Sequence, residues 1–265
     1  MNRQIKLLIL VMTLLLSACD GLGQTPPPPP YSIESLGTAV VLTENAPPTG
    51  YDAVAFPLVD AGLSALPGYH YVLSLRFEGN FDDDRTATTG HIQAEVWWDS
   101  IAPARRVLLD AGGDAFTMEA RQFEAVRMGE DYYLVNAEGL CLSNVAETAR
   151  GVALLDAGSL IGGVAEAPYS GTQAVLNSVQ AFRYDVSSAA ATLPLIQADD
   201  ASTVELTGEL WVAPENAAVV RYYANVDVSR VRLFESDRSV SGQLFLRYDV
   251  YDVGVVPNIS IPYGC

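Results

Sequence analysis

Few residues in this chain have the type and spacing to do chemistry. His70 and His91 are the only histidines, and neither falls in an H-E-x-x-H or H-x-H spacing that would hold zinc. No G-x-S-x-G turn presents a serine nucleophile. The one lysine, Lys6, lies in the extreme N-terminal segment, which leaves no amine for Schiff-base chemistry and no P-loop in the body of the chain. Asp82-Asp83-Asp84 could offer calcium its carboxylate oxygens, but the run lacks the alternating acidic positions and the glycine of an EF-hand loop. A solvated hairpin tip is the plainer reading. Glu205 and Glu209 fall on one face of a strand and imitate a glycosidase pair, although such coincidences are expected among 32 acidic residues. The residue types therefore point to a non-enzymatic protein with no metal and no cofactor.

Cys19 is different. Arg3 and Lys6 precede an uncharged apolar run from Leu7 to Leu16, and Leu16-Ser17-Ala18-Cys19 follows, as in a secretory signal peptide. The run is too short for a spanning helix, which needs about 20 residues. These four residues resemble the lipobox of bacterial lipoproteins, in which the cysteine thiol receives a diacylglycerol before cleavage. The resemblance implies that residues 1–18 are removed and that acylated Cys19 holds the protein on the extracytoplasmic face of a cell membrane. The alternative is an ordinary secreted protein cut near Ala18, with Cys19 left as a thiol. Residues 19–30 then form a stalk, because Pro26 to Pro30 make a stiff polyproline II spacer of about 3 Å per residue. Residues 31–265 remain for a single β-rich domain.

The formal net charge of −17 repels phosphate backbones and anionic headgroups, which excludes nucleic acid as a partner and leaves membrane attachment to the acyl anchor. Besides Cys19 only Cys141 and Cys265 remain. A pair in an oxidising compartment suggests a disulfide, stabilising by up to about 4 to 5 kcal/mol in the chain-entropy model. Two unpaired thiols are the alternative, since spacing does not show that the sulfurs meet.

The elements that must position these residues follow from periodicity. Helices are expected over Ile33 to Leu42 and Ala53 to Leu66. From Tyr69 the texture becomes strand alternation: Leu73, Leu75 and Phe77 share one face of Val72 to Glu78, and Ser74, Arg76 and Glu78 the other. Strands are expected at His91 to Trp98, Ala104 to Asp110, Ala120 to Met128 and Tyr132 to Asn136, forming an antiparallel meander. Val145 to Leu160 has helical spacing, weakened by Gly151 and Gly158. Strands resume at Gln180 to Val186, Val204 to Val212, Val219 to Ser229 and Gly242 to Val253. The stretches EVWWDSIAPARRVLL and ELWVAPENAAVVRYY echo one another, as two hairpins of the same geometry would.

The stretch GTQAVLNSVQAFRYDVS, with Asn177-Ser178-Val179 before Phe182-Arg183-Tyr184, resembles a strand of the LppX/LprG-type bacterial lipoproteins. LTGELWVAPENAAVVRYYANVDV, with Trp211 before a turn and Val220-Arg221 on the return, is similar to their next hairpin. The resemblance covers roughly residues 60–256. It implies an α+β fold of the LolA-like half-barrel type: a strongly curved antiparallel sheet whose concave side is covered by helices and encloses an apolar cavity for acyl chains. Leu73, Leu75, Phe77, Phe182, Tyr184, Leu244, Leu246 and Tyr248 are the candidate lining, and a lipid or glycolipid the implied ligand. For any one of them an ordinary packed core is the plainer reading, and a filled core would leave a surface lipoprotein that acts by protein contact or as an envelope structural element.

Overall fold

The structure is a computed structural model that describes residues 40–42, 46–116, 118–234 and 236–265. The signal segment, Cys19, the proline stalk and most of the helix expected over Ile33 to Leu42 lie outside these residues. The end of that expected helix is instead a strand, β1 (Val40–Leu42). It is followed by β2 (Ala53–Phe56), β3 (Gly68–Phe81), β4 (Ala87–Asp99), β5 (Ala104–Gly113), β6 (Met118–Met128) and β7 (Asp131–Asn136). Two short helices come next, α1 (Ala146–Ala153) and α2 (Ala157–Ile161). The chain then forms β8 (Gly163–Leu176), β9 (Val179–Ser187), β10 (Ala191–Thr192), β11 (Ile196–Gln197), β12 (Thr203–Ala213), β13 (Ala218–Leu233) and β14 (Val240–Tyr251).

Among the described residues all pairings are antiparallel, and the strands lie in the order β1-β8-β9-β12-β13-β14-β3-β4-β5-β6-β7, with β2 and β10 beside β8 and β11 beside β13. The sheet is open, ending at β1 on one side and β7 on the other. Strands β3 to β7 are the expected meander. Strand β14, late in the chain, pairs with both β13 and β3 and so joins the two halves. Where β14 crosses β3, Gly79 opposes Gly242, and a Cβ on Gly242 would stand 2.2 Å from the Glu78 carbonyl oxygen. Only glycine allows that approach.

Period-two alternation decides which face is buried. On β3 the side chains of Tyr69, Tyr71, Leu73, Leu75 and Phe77 are buried, whereas Arg76 and Glu78 are exposed. The buried face continues through Leu244, Leu246 and Tyr248 of β14, Tyr222, Ala224 and Val226 of β13, and Ile92, Ala94 and Val96 of β4. Val59, Leu63, Leu66, Ala157, Ile161 and Leu195 belong to the same continuous apolar cluster, so the segment around residues 59–66, helix α2 and the 193–196 segment pack against it. Helix α1 packs on β6 and β7, where Ala149 and Ala153 meet Ala125 and Leu134.

Two expected helices take other forms. Over Ala53 to Leu66 the chain makes β2 and then a single 3-10 turn, Ala61–Ala65. Pro57 lacks the donor a helix interior needs, and Ala53 and Val54 instead pair with Pro168 and Ala167 of β8. The helix over Val145 to Leu160 is broken at Leu154-Leu155-Asp156, where Asp156 is extended with ψ 135°. Periodicity did not predict the fourteen-residue β8, although its end, 171–176, lies within the stretch that resembles a lipoprotein strand. Its Pro168 and Gly171 obscure the alternation, and its register with β9 shifts between Tyr169 and Gln173.

Candidate functional site

All eight candidate lining residues lie on one sheet face and in one apolar cluster, each no more than 6% exposed. The register explains why they meet. Tyr184 of β9 stands opposite Leu210, which opposes Tyr222, then Tyr248 and Leu73, so one row of inward side chains crosses five strands. Leu75 opposes Leu246 and Phe77 opposes Leu244 in the neighbouring rows.

One end of this face is polar. Arg105 sits on the inward side of β5 and is only 8% exposed. Its Nη1 donates to Asp156 Oδ1 at 3.2 Å, and its Nη2 donates to the Tyr71 hydroxyl at 3.2 Å and to the Leu155 carbonyl oxygen. The Tyr71 hydroxyl donates to that same carbonyl at 3.2 Å. Burial pulls the Arg105 pKa down, but Tyr71, Tyr69 and Asp156 more than restore it, so the guanidinium stays charged. Asp60 lies close by, its Oδ2 accepting from the Gly158 N–H at 2.9 Å, and burial raises its pKa above the ordinary aspartate range against that bond. The ring of Tyr248 is 5.4 Å from that of Tyr71, and burial pushes its hydroxyl well above the usual tyrosine pKa. Among the described residues, neither the Tyr248 hydroxyl nor Arg105 Nε has a hydrogen-bond partner.

Cys141 and Cys265 are joined by a disulfide, with Cα atoms 5.3 Å apart. The segment after β14 leaves past the start of β3, where the Gly254 N–H donates to the Gly68 carbonyl at 2.9 Å. It ends against Cys141, which lies beside Val135 of the edge strand β7.

The opposite face of the sheet carries the charges. Its two histidines are each held by a carboxylate: His70 Nε2 lies 2.7 Å from Glu95 Oε1, and His91 Nε2 lies 3.4 Å from Asp110 Oδ1. The His70 ring stacks on Trp97 at 4.6 Å, and Arg106 covers Trp97 at 5.2 Å while its Nε donates to Glu124 at 2.8 Å. The buried pair Arg221 and Asp249 is 2.6 Å apart, and the Tyr223 hydroxyl donates to the second Asp249 oxygen. Glu209 is paired with Arg183 at 3.1 Å, not with Glu205. Asp83 and Asp84 are bound by Arg238, whose guanidinium also lies 3.5 Å over the Phe81 ring, and the hydrogen bond from Arg238 holds the Asp83 carboxyl below its usual range. This acidic tip is thus answered by the chain's own cation. Among the described residues no group of three or more His, Cys, Asp or Glu is arranged to hold a metal ion.

No family model and no curated protein matches the chain. Among solved structures it is similar to the crystal structure of a DUF1329 family protein from Desulfovibrio piger, with 11% identity, 79% of this chain and 98% of that chain covered, and a TM-score of 0.22.

Sequence reasoning missed Arg105, although a signal was there. Arg105, Val107, Leu109 and Ala111 alternate along β5, so a charged residue stands on the apolar face of a strand. Such a residue is expected to find a partner inside, and it does so in the break between α1 and α2.

Proposed function

We propose that the protein is a non-enzymatic, membrane-anchored extracytoplasmic lipoprotein that binds or carries a lipid or other amphiphile on the apolar face of its sheet. In this reading the sheet is a curved LolA-like half-barrel, α1 and α2 cover its concave side, and acylated Cys19 with the proline stalk holds it at the membrane. The observation that supports it best is one sheet face offering apolar side chains over five strands and, at one end, a buried arginine with tyrosine hydroxyls. An amphiphile asks for both in this order. Among the described residues no helix is long and apolar enough to cross a membrane. Native mass spectrometry of protein extracted from membranes should show co-purifying lipid, and an acyl probe should be taken up. Apoprotein alone, with no uptake, would sink the idea. Fatty-acid analogue labelling of Cys19→Ala tests the anchor separately, and the mutant should lose both label and membrane retention.

A second reading is favoured by the completeness of burial. The eight side chains pack in one cluster with residues from the segment around 59–66 and from α2, as a filled core would. The protein would then act by contact with another protein or as an envelope structural element.

A further inference from the structure

The two ends of the sheet differ in character. Antiparallel pairing brings the starts of β3, β5, β9 and β13 and the finishes of β4, β8, β12 and β14 to one end, together with the turns that join them. Hydrogen bonds knit that end together. The Ser100 N–H donates to the Pro67 carbonyl at 3.0 Å, the Gly254 N–H to the Gly68 carbonyl at 2.9 Å, and Asn177 Nδ2 to the Val250 carbonyl at 2.7 Å. The β4–β5 turn, the β8–β9 turn and the segment after β14 are thereby drawn to one place. Exposed apolar side chains gather there. Ile101 in the β4–β5 turn is 75% exposed, Val175 is exposed just before the β8–β9 turn, and Val255, Val256, Ile261 and Tyr263 are exposed along the segment after β14. That segment, residues 253–265, has no charged side chain in a chain of net charge −17. The turns of the other end hold Asp82-Asp83-Asp84-Arg85, Asp199-Asp200 and Asp237-Arg238.

Exposed apolar residues gathered in this way mark a contact surface. Where the rest of the chain joins the sheet says what the surface meets. Strand β1 pairs with β8 so that Val40 stands opposite Val175, and the segment that carries Cys19 therefore enters the sheet at the apolar end. A bilayer that holds acylated Cys19 meets this end first. Aliphatic side chains and a tyrosine suit the interfacial layer of a bilayer. The acids that do stand at this end, Glu130, Asp131, Glu215 and Asp252, have no lysine beside them and disfavour anionic headgroups. We propose that this end of the sheet docks on a lipid bilayer with zwitterionic headgroups, Ile101, Val255, Val256, Ile261 and Tyr263 entering its interface. The proposal rests on the reading of Cys19 as a membrane anchor and is independent of any ligand on the apolar face of the sheet.

Tyr263→Trp in the full chain, reconstituted in phosphatidylcholine vesicles whose acyl chains carry bromine, tests it. Bromine quenches an indole by contact. The added indole should be quenched beyond the signal of the three native tryptophans, whereas Ala87→Trp, at an exposed position of the charged end, should add emission that is not quenched. Ile101→Asp with Val256→Asp, both at exposed positions, should abolish quenching at residue 263 while circular dichroism shows the sheet intact and the chain stays with the vesicles. Replacing part of the phosphatidylcholine by phosphatidylglycerol should lessen the quenching. Retention on the vesicles reports the anchor and quenching reports the surface, so the two failures are distinguishable. A retained chain whose residue 263 is quenched no more than residue 87 would overturn the docking and leave the anchor standing. A chain that washes off the vesicles would overturn both. Crosslinking of one chain to another through this end, without quenching, would give the surface to a second copy and overturn the proposal as well.

Discussion

Arg105 of β5 donates to the carbonyl oxygen of Leu155, in the break between α1 and α2, and so ties the helical insert to the inward face of the sheet. Asp60 adds a second tie from the segment after β2, through the N–H of Gly158 in α2. These two polar contacts hold helices too short to be stable alone.

Arg105→Ala removes the first tie and leaves the Leu155 carbonyl and the Tyr71 hydroxyl without their shared cation. The expected loss is about 2 to 3 kcal/mol, measured by urea unfolding. Hydrogen exchange should locate the damage. Protection within residues 146–161 should fall while β13 keeps its own; an equal fall in both would show that Arg105 is not a local tie.

Asp60→Asn tests the second tie through pH. Burial raises the folded pKa of Asp60 above its unfolded value, so the folded chain holds that proton more tightly. The contribution is fully present below the unfolded aspartate pKa and is lost as pH rises through the folded value. Asparagine keeps an acceptor for the Gly158 N–H and never ionises. The stability of Asp60→Asn relative to the parent should therefore increase as pH rises from the ordinary aspartate range toward neutral, and then level off. A difference that is constant over that range would contradict the assignment.

Tyr248→Phe separates the two functional readings. A buried hydroxyl without a partner costs stability, so in a filled core the phenylalanine variant should be as stable as the parent or up to about 1 to 2 kcal/mol more so by thermal melting. If an amphiphile's polar end is held there, the same variant should also lose co-purifying lipid.

Replacing both disulfide cysteines, Cys141→Ser with Cys265→Ser, should cost up to about 4 to 5 kcal/mol by the chain-entropy model, since 124 residues separate them. The segment after β14 should become the first site of limited proteolysis. Unchanged stability and an unchanged cleavage pattern would show that the bond holds nothing.

Much of the sheet was legible because β3, β4, β9 and β14 carry apolar residues at alternate positions, a pattern local to each strand. Their order across the sheet was not, because it rests on pairings such as Leu75 with Leu246 that no local pattern encodes. Strand β8 escaped because its alanines, Gly171 and Pro168 have neither period. The expected helix at Ala53 to Leu66 failed because tertiary pairing with β8 overrode weak propensity. Of the candidate site, the eight apolar residues were legible one face at a time. Arg105 was passed over because its partners, Tyr71, Leu155 and Asp156, are far from it in sequence and meet it only once the helices dock.

The position of β14 bears on how this chain is made. Synthesised from the N-terminus, it can complete the meander β3 to β7 early and the group β8 to β13 later, but each waits with a bare edge, at β3 and at β13, until residues 240–251 emerge. Unpaired edges recruit foreign strands, and pairings so distant in sequence form slowly. The interval before the last strand inserts is therefore when the molecule is most open to misassembly. A truncation before Val240 would make that interval permanent.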